Sequence, residues 1–189
     1  MLSEDDGKYL LSVAKDAIET YVKENRKIDT PSDCPDYMHE ELGVFVTLNK
    51  HNNLRGCIGY PEPVYPLIDA VIDSAISAAM RDPRFPSVDE SELDSLDYEI
   101  TVLTKPQIIE VEKPIDYLNN IIIGEDGLIV ALGICILLYF YPTMHLALSL
   151  PSCRCGIRTL PYPYCALEQP VAIAILYRIH VQRSIHLLQ

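Results

Sequence analysis

An α+β fold, with an antiparallel or mixed sheet and packed helices, is predicted by three observations. Two stretches carry apolar residues at helical spacing, and strand-like runs follow one another through short turns instead of alternating one for one with helices. The apolar fraction of 49% in 189 residues suffices for one sizeable core, or for two small lobes that share it and a cleft. The chain has no internal repeat.

Ser3 followed by Glu4, Asp5 and Asp6 reads as a helix N-cap with acid in the first turn, where the helix dipole favours it. Leu10, Ala14, Ala17, Ile18 and Tyr21 then form the apolar stripe of a first helix ending near Lys27. Pro31 to Pro35 reads as a loop, and Gly43 to Leu48 as a strand with Val44, Val46 and Leu48 on one face and Phe45 and Thr47 on the other. Lys50-His51-Asn52-Asn53 supplies turn residues that tolerate positive φ, so Leu54 to Tyr60 pairs antiparallel with that strand. Alternation puts Arg55 and Cys57 on one face and Leu54, Gly56 and Ile58 on the other, while Gly56 and Gly59 mark a bulge or a close backbone approach.

A second helix starts at Pro66 with the stripe Ile68, Val71, Ile72, Ala75, Ile76 and Ala79, and Arg81 to Pro86 breaks it. A short helix around Ser91 to Leu96 leads into a strand from Tyr98 to Thr104. Further strands are expected at Ile108 to Val111, Ile121 to Gly124 and Leu128 to Val130, the last two joined by the turn Glu125-Asp126-Gly127.

The formal charge of −12 excludes a role in binding nucleic acid, which needs clustered Lys and Arg to displace counterions. It reads instead as a self-repelling, solvated surface. Six cysteines, Cys34, Cys57, Cys135, Cys153, Cys155 and Cys165, form no CxxC pair, and Met1 to Asp6 lacks the basic and apolar regions of a secretory leader. A reduced, cytoplasmic setting is the expectation. No cofactor is implied, because the GxGxxG and GxxxxGK[ST] phosphate loops are both absent. Nor is a metal, since Cys34, His39 and Glu40 match no ligand template and His39-Glu40-Glu41-Leu42-Gly43 lacks a second histidine.

Two segments concentrate chemistry, Leu54-Arg55-Gly56-Cys57-Ile58-Gly59 and Arg81-Asp82-Pro83-Arg84-Phe85-Pro86. Cys57 is the candidate nucleophile, with Arg55 on its face as the group that would lower its pKa; the competing reading is a small buried hydrophobe. Arg84 is either a bidentate ligand for an anion or half of an internal ion pair with Asp82, Asp97 or Glu99. Glu99 and Thr101 share a strand face, so Arg55, Cys57, Arg84 and Glu99 would line one pocket, with Gly56, Gly59 and Thr101 beside them.

These two segments, followed by Glu99-Ile100-Thr101-Val102-Leu103-Thr104 and the Asp126-Gly127 turn, resemble the AMMECR-type domain over about Asp6 to Val130. The resemblance implies a protein whose reaction is not established, with a cleft around the hexapeptide. It is either an enzyme or enzyme accessory, or a non-catalytic binding or scaffold module. It also implies partners, a Memo-like protein and a radical S-adenosylmethionine enzyme.

The last third departs from that pattern. Residues 1 to 130 carry 26 acidic against 11 basic side chains, whereas 131 to 189 hold Glu168 against Arg154, Arg158, Arg178 and Arg183 with no Lys or Asp. Leu128 to Leu150 is long and apolar enough for a transmembrane helix, but Pro142, Thr143 and His145 interrupt it and no basic flank orients it. The expectation is a core at 1–130 and an out-of-frame tail at 131–189, with a membrane anchor as the alternative if the apolar tail is genuine.

Overall fold

A computed structural model describes residues 2–110, 116–120, 126–132, 135–139, 148–149 and 174–187. It divides into two compact units, one formed by Met1–Pro106 with Ile179–Gln189 and the other by Gln107–Arg178.

The first unit opens with helix α1, Glu4–Glu24. The Ser3 hydroxyl accepts from the Asp6 N–H at 3.2 Å while the Ser3 N–H donates to the Asp6 carboxylate at 2.6 Å, closing the capping box. Leu10, Ala14, Ala17 and Ile18 are buried as expected, joined by Leu11 and Val13. The helix stops three residues before Lys27, because Asn25 turns left-handed at φ 51° and its N–H donates to the Tyr21 carbonyl. In the segment that follows, a 3₁₀ turn runs from Asp36 to His39.

Strands β1, Gly43–Lys50, and β2, Asn53–Tyr60, form the expected hairpin, its tip made by His51 and Asn52 at φ 51° and 61°. Both angles suit the right-handed twist of the flanking strands. Helix α2, Leu67–Met80, is buried on nearly every side because it lies between α1 and the hairpin. A 3₁₀ helix at Glu90–Ser95, capped by Asp89, leads into β3, Leu96–Leu103, which pairs antiparallel with β1. Val44, Val46, Leu48, Tyr98, Ile100 and Val102 meet the helices in a single core.

In the second unit β4, Gln107–Ile108, is shorter than the strand expected there. Helix α3 covers Tyr117–Asn120; β5, Asp126–Leu132, β6, Cys135–Tyr139, and β7, Leu148–Ser149, pair antiparallel in sequence. The final strand β8 is Ala174–Leu187: Tyr177 and Arg178 pair with β4 in the second unit, and Val181 to Leu187 extend the first unit's sheet beside β3, giving it the order β2-β1-β3-β8. The strand expected at Ile121 to Gly124 lies outside the described residues. Among the described residues no helix is long and apolar enough to cross a membrane, and those of the Leu128 to Leu150 run belong to β5, β6 and β7.

Candidate functional site

The site begins with a bulge. Leu48 pairs with Gly56 and Asn49 with Leu54, so Arg55 is the extra residue of β2. The alternation expected between Arg55 and Cys57 fails there. Arg55 meets Glu92 on the side of Lys50, giving the carboxylate two bonds, Nε to Oε1 at 3.1 Å and Nη2 to Oε2 at 2.8 Å, while Nη1 donates to the Pro86 carbonyl at 2.9 Å. Lys50 Nζ reaches the same carboxylate at 2.8 Å. Arg55 and then Lys50 hold the Glu92 carboxyl down at about 2, against a smaller opposing push from burial.

Cys57 points the other way. Its Sγ accepts from the Thr47 hydroxyl at 3.2 Å, and Cys57, Thr47 and Glu99 are successive cross-strand partners on β2, β1 and β3. All three are buried, Cys57 to 4% exposure. Burial pushes the Cys57 thiol up, outweighing the opposing pull of the Thr47 hydrogen bond and of the Arg84 charge, and Asp82 and Glu99 push it further the same way. The expected lowering by Arg55 is therefore corrected: the bulge sends that guanidinium to Glu92, and the thiol is held protonated.

The second segment clamps the main chain of this cysteine. Asp82 Oδ2 accepts from the Cys57 N–H at 2.9 Å, and Arg84 Nη2 donates to the Cys57 carbonyl at 3.1 Å. β2 ends the sheet order, so these are edge groups that a neighbouring strand would otherwise satisfy. Arg84 binds Asp82 in bidentate fashion, Nε to Oδ1 at 2.9 Å and Nη2 to Oδ2 at 2.6 Å, and its guanidinium carbon lies 5.5 Å from the centre of the Phe85 ring. Burial alone would raise the Asp82 pKa, but the bonds from Arg84 and from the Cys57 and Arg84 N–H groups outweigh it and the net shift is downward.

Close approach explains both glycines of the motif. A Cβ on Gly56 would lie 2.1 Å from the Ala78 carbonyl oxygen of α2, and one on Gly59 would lie 2.1 Å from the Val44 carbonyl oxygen. Thr101 sits one row along from Glu99, opposite Phe45, whose other partner is Gly59. The fold thus gathers Cys57, Glu99, Arg84, Thr101 and Gly59 around one stretch of sheet and takes Arg55 out of that group. Thr47 and Glu92 were not singled out from the sequence. Counting back through the Lys50 to Asn53 turn puts Val46 opposite Cys57, and only the bulge at Arg55 moves the register by one to Thr47; the Asp89 to Glu92 capping pattern was the available sign of Glu92. Among the described residues no group of His, Cys, Asp and Glu could hold a metal ion. A cavity of about 190 Å³ in the second unit is lined by Gln107, Ile108, Ile109, Glu110 and Asn120, none of which is a predicted site residue.

The AMMECR1 family model matches residues 11–153, reaching beyond the Val130 limit expected from the motifs. A protein of Methanothermobacter thermautotrophicus is 54% identical over 132 residues, covering 70% of this chain and 69% of its own. Protein TK0174 of Thermococcus kodakarensis is 46% identical over 138 residues, covering 70% and 67%. The crystal structure of the uncharacterized protein PH0010 from Pyrococcus horikoshii superposes with a TM-score of 0.70 at 45% identity, over 72% of this chain and 70% of that one. The chain spans about two thirds of the length of these relatives. With the hexapeptide, its arginine clamp and these likenesses in agreement, the chain belongs to the AMMECR1 family.

Proposed function

We propose that the protein is a binding or scaffold module, an accessory to an enzyme, in which the hexapeptide and the Asp82-Pro83-Arg84 segment hold the framework. The observation that carries this reading is the commitment of every charged group in the two segments' centre: Arg55 is bonded to Glu92, Arg84 to Asp82, and the Cys57 thiol is buried and pushed up. A nucleophile needs an accessible thiolate. Partners of the Memo-like and radical S-adenosylmethionine kinds, and a cytoplasmic setting, fit this reading.

The enzyme reading draws on a different observation, the Thr47 hydroxyl at 3.2 Å from Sγ with Glu99 in the same cross-strand row. In that reading Cys57 is the nucleophile, Glu99 the acid or base, and Arg84 with Gly56, Gly59 and Thr101 binds the ligand in a cleft between two lobes. Peptide-resolved alkylation separates the two. With iodoacetamide near neutral pH, the half-buried Cys34 should be labelled while native Cys57 stays unmodified until the protein unfolds. Rapid labelling of native Cys57, without unfolding, would overturn the module reading.

For the last third we propose that residues 131–189 are an out-of-frame continuation of a core that ends near Val130. What supports it is the change of composition, 26 acidic and 11 basic side chains in residues 1 to 130 against one and four in 131 to 189, while the family match to residue 153 weighs against a break as early as Val130. A membrane anchor is the competing reading of the same apolar run.

A further inference from the structure

Among the described residues four large apolar side chains are exposed, and three of them, Tyr37, Val64 and Tyr65, lie on two segments joined to each other. The Leu67 N–H donates to the Glu40 carbonyl at 2.9 Å, and Glu41 and Pro66 form an antiparallel bridge. The second segment, Pro61-Glu62-Pro63-Val64-Tyr65-Pro66, is stiffened by its prolines and by the Val64 N–H bonded to the Glu62 carbonyl at 3.0 Å. Tyr65 stands edge-on to Tyr60 with ring centres 5.1 Å apart, and the Tyr60 hydroxyl donates to Asp73 at 2.6 Å. The Tyr37 hydroxyl donates to Asp6. Both rings are therefore held in place while 43% of Tyr37 and 50% of Tyr65 stay exposed.

The charges on the same two segments have one sign. Asp36, Glu40, Glu41 and Glu62 are exposed and, among the described residues, none makes an ion pair, whereas Glu4, Glu19, Glu24, Asp73, Asp82 and Glu92 each do. His39 is the one basic side chain on either segment. Pre-positioned tyrosines are the residues that anchor protein interfaces, since little rotamer freedom remains to be lost on binding. Unpaired carboxylates around them select the charge of whatever docks there.

We propose that Tyr37, Val64 and Tyr65, with the carboxylates beside them, dock a basic protein segment that presents an aliphatic or aromatic side chain between Lys or Arg residues. The proposal rests on the module reading and supplies its partner's chemistry. Rapid Cys57 labelling would remove that reading whatever binds here, whereas failure at this patch leaves the framework role of the two segments standing.

The test is selection of a displayed random peptide library on the full chain. Recovered peptides should be enriched in Lys and Arg around one large apolar residue and should bind about tenfold more weakly to Tyr65→Ser and to Val64→Ser. Binding should weaken with rising salt, and Glu41→Gln with Glu62→Gln should flatten that dependence. Tyr65 also touches Tyr60, so Val64→Ser and the Gln pair keep the test decisive if Tyr65→Ser unfolds. Recovery of no peptide, of peptides without basic enrichment, or of peptides that bind Val64→Ser and the Gln pair like wild type would overturn the proposal. So would a concentration-dependent dimer in sedimentation that Val64→Ser abolishes, which would assign the patch to a second copy of the chain.

Discussion

Glu92 carries two cations, Arg55 and Lys50, on one carboxylate with 18% of its side chain exposed. Because its folded pKa of about 2 lies below its ordinary value of 4.5, its contribution to stability is complete above about pH 5 and is lost as pH falls toward 2. Urea unfolding at pH 7 should find Glu92→Gln destabilised by about 2 kcal/mol, and the gap between variant and wild type should shrink steadily below pH 4. A gap independent of pH would mean that the ion pairs add nothing. Arg84 should behave differently, because its partner Asp82 is 2% exposed while Arg84 itself is 41% exposed. Arg84→Ala strands a buried carboxylate and should cost about 2 kcal/mol, and replacing Asp82 by Ala as well should restore part of that loss. Wild-type stability of Arg84→Ala would move this arginine from framework to ligand site. That Arg84 pairs with an acid was legible in the sequence, since Asp82 precedes it by two residues across a proline. The target of Arg55 was not, because its partner lies 37 residues away on a 3₁₀ helix.

At the level of elements, the bulge decides which groups meet. One extra residue in β2 reverses the facing of Arg55 and leaves the Gly56 to Tyr60 half in register with β1. The two glycines were readable as signs of close approach, yet only the packing of α2 shows that Gly56 faces the Ala78 carbonyl. A methyl at 2.1 Å from a backbone oxygen cannot be relieved by a side-chain rotation, so Gly56→Ala should push α2 off the hairpin and cost about 3 kcal/mol in denaturant unfolding. A loss below about 0.5 kcal/mol would mean that the helix and hairpin do not approach so closely. Helix ends were more readable. Ser3 and its acidic neighbours announced the start of α1, and Asn25, a residue type that tolerates the left-handed region, was an available sign of its end that the apolar stripe alone did not use.

For the whole molecule, the family match runs further along the chain than the change of composition: the family model matches to residue 153, whereas the change falls near 131. If the tail is out of frame, translating the other two frames of the coding DNA beyond the Val130 codon should yield charged, Trp-containing sequence like that of the relatives. Finding none, together with extraction of the expressed chain only by detergent, would favour an apolar anchor instead. The strand β8 complicates a simple cut at Val130, because Val181 to Leu187 pair with β3 in the first unit.

The sequence by itself determined the α+β class, the helices, the hairpin and the family, because those rest on local periodicity, turn chemistry and short motifs whose partners lie within a few residues. It also singled out Cys57, Arg55, Arg84 and Glu99 as candidates. Only the tertiary structure decided what they do. Whether a thiol is raised or lowered depends on the balance of desolvation, hydrogen bonds and charge in three dimensions, and one bulge was enough to take Arg55 from Cys57 and give it to Glu92.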